Sequence, residues 1–250
     1  MKKFGFTLAE VFHPTGMSKR IAFTLAEVLI TLGIIGVVAA LTIPTLIQKY
    51  EKQVTATKAK QAYSMISQAI KLSEIDNGRA EDWAVSSQKG LPYTEAFLNK
   101  FILPYLKAEF CGDGNNSEVI KKCGAAVSRI GKNYFLANGT AVSFVPIWAF
   151  DNKTELGILD IVIDTNGPKK PNFMGKDQFY FEYYPNNGFK PYAAPANCSR
   201  TEILNGTCQF EEKSFGCKKV KNDDEDILYR HGCTLLLMMD SWQIKDDYPW

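Results

Sequence analysis

The sequence predicts an α+β protein in which one long N-terminal helix packs on a small antiparallel β-sheet head. First, an apolar run over residues 21–44 continues directly into a segment with helical periodicity. Second, the region after residue 130 alternates strand-forming segments with turn dipeptides. Third, all six cysteines follow the apolar run, as expected for an extracytoplasmic head.

The first half of the helix has the length and composition of a membrane span. Residues 23–43 carry one charged side chain, Glu27, and the basic pair Lys19-Arg20 stands just before them. At 1.5 Å per residue such a helix is about 31 Å long, enough to cross the hydrocarbon core. Basic residues stay on the cytoplasmic side, so we predict a transmembrane segment over residues 23–44. A secretory signal peptide fits less well, because its apolar core is only about 7 to 15 residues long.

Glu27 is an unusual residue for this position. A carboxylate inside a membrane span costs about 2.5 to 3.5 kcal/mol on insertion scales, so it needs compensation. Water at the membrane interface is one source of compensation, and a charged partner is the other.

The second half of the helix is amphipathic. After Pro44, apolar residues recur at helical spacing among Lys, Gln and Thr. Pro44 lacks an N–H and predicts a kink, and Gly78 suits a left-handed cap at the helix end. We therefore predict one helix over residues 23–78, kinked near Pro44, followed by a single head domain over residues 79–250.

Within the head, helices precede strands. Residues 92–108 indicate one or two short helices interrupted at Pro104. Asn138-Gly139 divides two apolar strands and favours a hairpin with a type I′ turn. Further strands are predicted over residues 156–164 and 177–184. The region from Cys198 is irregular and polar before an apolar C-terminal segment, which we expect to pack on the head as helix or strand.

The cysteines predict disulfides. An even number in an oxidising compartment indicates three bridges, although six cysteines allow 15 pairings. Sequential pairing is favoured because each bridge then closes a short polar loop. The expected pairs are Cys111 with Cys123, Cys198 with Cys208, and Cys217 with Cys233.

The segment FTLAEVLITLGIIGVVAALTIP, residues 23–44, resembles the N-terminus of type IV prepilins and type II secretion pseudopilins. In that family a basic leader is removed before a Phe, which is then N-methylated, and a Glu stands fifth in the mature chain. The resemblance implies cleavage between Ala22 and Phe23, and neutralisation of Glu27 by the terminal amine of a neighbouring subunit. It also implies a kinking proline at Pro44 and a pilin-like head.

The N-terminus contains this motif twice. MKKFGFTLAEV places Gly5, the residue that the family prefers before the cut, in front of Phe6, whereas the second copy has Ala22. However, residues 12–16 interrupt the apolar run after the first copy. We interpret residues 1–22 as a partly duplicated leader, with Met17 as a candidate start, and cleavage after Gly5 as the less favoured alternative.

The resemblance implies a structural subunit that is assembled rather than an enzyme. Its partners would be prepilin peptidase, other pilin or pseudopilin subunits, the inner-membrane assembly platform and, before assembly, membrane lipid. Gly33 and Gly36 would permit close helix approach. The protein would be a single-pass bacterial inner-membrane protein with a cytoplasmic N-terminus, and afterwards part of an extracellular or periplasmic filament. The alternative is a static, membrane-anchored extracytoplasmic binding module.

Other functions have little support in the sequence. The net charge of +2 provides no field to attract nucleic acid. No G-x-S-x-G, phosphate-loop or H-E-x-x-H motif occurs, and His231 is the one histidine beyond the apolar run. We expect no catalytic residues and no obligatory cofactor.

One loop raises the alternative of a calcium site. Oxygen atoms at spacings that could surround Ca²⁺ come from Asp164, Asn166, Asn172 and Asp177. The segment resembles one found in some pilins and pseudopilins, and certain pseudopilins bind calcium in a head loop. The twelfth position of an EF-hand loop, however, has no Glu here. The favoured interpretation is a turn-rich connection in which Asn and Asp bond their own backbone.

Overall fold

The computed structural model describes residues 24–83, 91–125, 131–146, 159–184, 187–192, 197–210, 213–218 and 228–250. The described part of the chain contains five α-helices, with short 3-10 helices at Ala80–Asp82 and Leu103–Tyr105. The α-helices are α1 (Leu25–Asn77), α2 (Leu91–Phe101), α3 (Ser117–Cys123), α4 (Arg200–Asn205) and α5 (Leu228–Met239).

Six strands form one antiparallel sheet in the order β1 to β6. They are β1 (Ala108–Asp113), β2 (Lys132–Leu136), β3 (Ala141–Pro146), β4 (Leu159–Asp164), β5 (Gln178–Tyr184) and β6 (Gly188–Pro191). A separate two-stranded ribbon consists of β7 (Cys208–Phe210) and β8 (Lys213–Phe215). The α+β class and the antiparallel sheet are therefore confirmed, and the strand predicted from residue 156 is described from residue 159.

The chain divides into two compact units, Met1–Ile47 and Gln48–Trp250. Helix α1 contributes to both and continues through Pro44. Its last residue is Asn77, and Gly78 follows with a φ of 79°, the left-handed conformation expected of a helix-ending glycine.

Within the second unit, α1 packs on the sheet through a face of small side chains. These buried residues recur every three or four positions: Ala56, Ala59, Ala62, Ile66, Ala69, Ile70 and Ser73. Tyr63 lies beside them and stacks on Phe189 of β6 at 4.8 Å between ring centroids. Because alanine has almost no side chain, the helix backbone can lie close to the sheet.

The core lies between the sheet, α1 and α2. Alternate residues of the central strands, including Ile161, Phe179 and Phe181, are completely buried, as the two-residue period of a strand requires. Trp83 stacks on Phe101 of α2 at 4.7 Å. Each large apolar side chain buried here contributes about 1.5 to 3 kcal/mol.

The β2–β3 hairpin is present, but its predicted turn type is wrong. A type I′ turn needs a positive φ at both Asn138 and Gly139, and only Gly139 has one, at 76°. Leu136 donates its N–H to Thr140 at 2.8 Å, and Gly139 donates to Leu136 at 2.9 Å. This is a three-residue loop with a glycine bulge, in which the Asn138 side chain accepts the Thr140 N–H.

The C-terminal region has more regular structure than predicted. Helix α4 begins with a capping box between Ser199 and Glu202 and ends at Gly206, whose φ is 64°. The apolar C-terminal segment forms helix α5. Three disulfides, Cys111–Cys123, Cys198–Cys208 and Cys217–Cys233, join the sequential pairs.

Candidate functional site

The first part of α1, residues 25–47, is an apolar surface that is exposed in the part of the chain that the structure describes. The exposed fraction is 77% for Leu25, and the most apolar 18-residue stretch of the helix contains no buried residue. By length and composition this helix is able to cross a membrane. An exposed apolar surface of this extent requires lipid or protein against it.

Glu27 lies in the first turn of this helix and is bonded to Thr24. The Glu27 carboxylate accepts the Thr24 N–H and the Thr24 hydroxyl, each at 2.8 Å. In return, the Thr24 hydroxyl accepts the Glu27 N–H at 3.2 Å. This reciprocal pair is a capping box, which satisfies two donors at the start of a helix and fixes the direction of the carboxylate.

The other predicted assembly residues lie on the same helix. Among the described residues, and apart from the neighbouring backbone of the helix itself, a Cβ at Gly33 or Gly36 would meet no atom within 4 Å. Pro44 lies within the helix, where its missing N–H removes one backbone hydrogen bond. The predicted processing residues Ala22 and Phe23, and the alternative pair Gly5 and Phe6, lie outside the described residues.

The loop between β4 and β5 brings the predicted calcium ligands together. The Asp177 carboxylate accepts the Asn172 N–H at 2.8 Å, the Phe173 N–H at 2.5 Å and the Asn166 side-chain amide at 2.9 Å. The Asp177 carboxylate therefore stabilises the folded loop, because all three donors belong to the loop itself.

Asp164 is used in a similar way. One of its oxygens accepts the Asn166 N–H at 3.1 Å, and the other accepts the Gln178 amide at 3.0 Å. Burial raises the pKa of Asp164 to about 7, and the nearby Asp177 carboxylate adds to the rise. Burial also raises the pKa of Asp177.

This geometry supports the turn interpretation over the calcium interpretation. A calcium ion would have to displace N–H donors from both carboxylates, and these donors are part of the loop fold. Among the described residues, no group of three His, Cys, Asp or Glu side chains is arranged to hold a metal ion.

The face of the sheet that points away from α1 carries a cluster of titratable side chains that the sequence did not predict. Burial raises the pKa of Asp160 to about 6, although a hydrogen bond from Tyr180 acts to lower it. Tyr180 stacks on Tyr192 at 4.8 Å, and the His231 ring meets both edge-on, at 4.7 and 5.1 Å. Burial lowers the pKa of His231 to about 4, so the imidazole is neutral at physiological pH.

A second feature missed from the sequence is a groove of about 460 Å³ between α2 and the β1 edge of the sheet, here named the α2–β1 groove. Its polar and aromatic lining comes from Glu95, Asn99, Phe110, Asp113, Lys132 and Tyr134. These residues belong to three separate elements, so no local motif connects them. The one sequence signal is a lysine, Lys132, at the first position of β2.

Comparison with known proteins gives a family match. Residues 45–250 match a family described as Family of unknown function (DUF6613). The matched region starts directly after Pro44 and includes the whole head. No curated protein and no solved structure matches the chain.

Proposed function

The chain belongs to the DUF6613 family, and we propose that it is a pilin-like structural subunit that assembles through its N-terminal helix. It would be made as a membrane-anchored precursor and incorporated into a type IV pilus or a type II secretion pseudopilus. The observation that carries this proposal is the uncovered apolar segment of α1, which has one charge, Glu27, fixed in its first turn. Lipid covers such a segment before assembly, and apolar helices of other subunits cover it afterwards.

The proposed processing places a charge where Glu27 can use it. Prepilin peptidase would cut between Ala22 and Phe23, leaving a terminal amine four residues before Glu27. In a filament the amine of one subunit would neutralise the carboxylate of its neighbour, since an unpaired buried charge is costly. The capping box holds this carboxylate in one direction before the partner arrives.

A second candidate is a static membrane-anchored binding module. The observation that favours it is the same capping box, because Thr24 already compensates the carboxylate without another subunit. In this case the helix remains in the bilayer and the head binds its ligand there.

Mass spectrometry of the full chain from peptidase-competent cells separates the two candidates. An N-methylated Phe23 terminus is the expected result for the pilin-like subunit. An intact N-terminus in cells that process another prepilin would overturn that proposal and favour the anchored module.

A pair of substitutions then tests the charge itself. Glu27→Gln keeps an acceptor oxygen for the capping box but removes the charge, so membrane insertion should persist while filament incorporation fails. Thr24→Ala weakens the cap but keeps the charge, so incorporation should be largely retained. Normal incorporation of Glu27→Gln would contradict charge pairing.

A further inference from the structure

The α2–β1 groove is built around a buried, fully paired lysine. The Lys132 side chain is 6% exposed, and its ammonium group forms ion pairs with Asp113 at 2.8 Å and Glu95 at 3.1 Å. Burial opposes this charge, but the hydrogen bonds to both carboxylates outweigh it and raise the pKa of Lys132. The two ion pairs hold α2, β1 and β2 in fixed relation.

Polar groups at the groove surface point to a ligand with hydroxyl groups. Glu95 and Asp113 remain exposed beyond their ion pair, and the Asn99 amide lies on the same wall. The Tyr134 hydroxyl has no hydrogen-bond partner among the described residues, and burial raises its pKa to about 12. The groove thus offers hydroxyl and amide donors beside carboxylate acceptors.

Phe110 adds an aromatic surface to this polar wall. It is 52% exposed although it lies in β1, and it meets Tyr134 edge-on with 5.6 Å between ring centroids. The Lys132 ammonium lies 5.4 Å from the Phe110 ring centroid. A half-exposed ring supported by two neighbours is a rigid apolar contact surface of the kind found in ligand sites.

We infer that the α2–β1 groove is a binding site for a neutral carbohydrate. A sugar ring has an apolar face for Phe110 and hydroxyl groups that both donate and accept. Its hydroxyl groups would donate to the carboxylates of Glu95 and Asp113, and charge-assisted bonds of this type are stronger than neutral ones. The groove volume of about 460 Å³ lies within the usual range for small-ligand sites.

A cationic ligand is the main competitor, and it is less well matched. With Lys132 present, the groove carries a formal net charge of −1 from Glu95 and Asp113. One exposed charge of this kind attracts a cation only weakly and is screened by salt. Lys132 also repels a second cation from the Phe110 ring.

Saturation-transfer NMR on the full chain in lipid nanodiscs tests the site. The probes are glucose, galactose, mannose and N-acetylglucosamine at millimolar concentration, with phosphatidylethanolamine and phosphatidylglycerol as lipids without sugar. At least one sugar should receive saturation from the protein. Phe110→Ala should weaken its binding about tenfold, and Asn99→Ala should weaken it as well, while Phe110→Tyr retains it.

The control is Ile120→Ala, which removes another exposed apolar side chain, on α3, and should leave sugar binding unchanged. Circular dichroism is recorded to check that each variant remains folded. Absence of saturation transfer to all four sugars overturns the inference. Equal sugar binding by the wild type, Phe110→Ala and Asn99→Ala also overturns it. Displacement of the sugar by tetramethylammonium would show a cation site and overturns it as well.

Discussion

Arg200 forms a two-point ion pair with Asp240, through Nε to Oδ1 at 2.8 Å and Nη2 to Oδ2 at 2.9 Å. The Asp240 side chain is 2% exposed, and Arg200 also binds Asp247. The pair joins the start of α4 to the segment that follows α5. Lys245 adds a further contact to Asp240 at 2.6 Å.

Replacement of Arg200 should destabilise the head strongly. Arg200→Ala leaves the buried Asp240 carboxylate with Lys245 alone, and we expect a loss of about 2 kcal/mol in the free energy of unfolding. Denaturant unfolding followed by near-UV circular dichroism measures this loss. Asp247→Asn is the matched control, because Asp247 is half exposed and its ion pair should contribute much less to stability. Equal losses in both variants would contradict the importance of burial.

Asp164 should make stability fall as pH rises. Its pKa is raised to about 7 in the folded state, so between the ordinary carboxyl pKa and pH 7 the folded protein holds a proton that the unfolded chain has lost. The folded state is therefore favoured at the acid end of this window, and its stability decreases by about 1.4 kcal/mol per pH unit across it. Asp164→Asn should remove this slope.

The measurement compares unfolding free energies of wild type and Asp164→Asn from pH 5 to pH 8. The difference between them should shift in favour of the variant as pH rises. Thr165→Val is the control, because it removes a buried hydroxyl bonded to the Asp177 carbonyl without removing a titratable group. Parallel pH profiles for wild type and Asp164→Asn would refute the prediction.

His231 should have the opposite effect. Its pKa is lowered to about 4 by burial, so between that value and 6.5 the unfolded chain binds a proton that the folded protein does not. Stability from this group is therefore lost as pH falls from 6.5 towards 4. His231→Phe keeps the ring contacts with Tyr180 and Tyr192, and it removes a buried Nδ1 atom that has no hydrogen-bond partner among the described residues.

At pH 5 we expect His231→Phe to have a free energy of unfolding about 1 kcal/mol or more above that of the wild type. The variant should therefore also unfold at a higher temperature. At pH 8 the gain should be smaller. Thermal unfolding at both pH values tests this expectation, and a variant less stable than wild type at pH 5 would show that the imidazole has a required partner.

Gly216 should tolerate no side chain. A Cβ there would lie 2.4 Å from the Gly206 Cα and 2.5 Å from the Ile203 carbonyl oxygen, both backbone atoms. Gly216→Ala should therefore cost about 3 kcal/mol through displaced backbone. Gly139→Ala is the comparison, because that position has free space and only its positive φ resists alanine, at about 1 kcal/mol. Unfolding free energies of the two variants should differ clearly.

Features with a short sequence period were predictable. The length of α1 followed from an apolar run joined to a helical repeat, and the hairpin followed from a turn dipeptide between strand segments. The turn type did not follow, because Asn138-Gly139 fits both a two-residue turn and a bulged three-residue loop, and strand register decides between them.

Features formed by distant residues were not predictable. The α2–β1 groove depends on Glu95, Asp113 and Lys132, which meet only after α2 packs on the sheet edge. Asp160 and His231 are ordinary polar residues in the sequence, and their altered pKa values come from burial under the fold. The loop at Asp164 could be predicted as a turn or as a cation site, because the same oxygen-rich residues serve both.

The three disulfides join cysteines only 12, 10 and 16 positions apart, and no loop encloses a cysteine of another pair. If the head crosses a membrane with its N-terminal end first, both cysteines of each pair cross before the cysteines of the next pair. Native pairing would then follow from the order of emergence. Oxidation of the head would need little exchange of misplaced bridges, which is otherwise a slow step of seconds to hours.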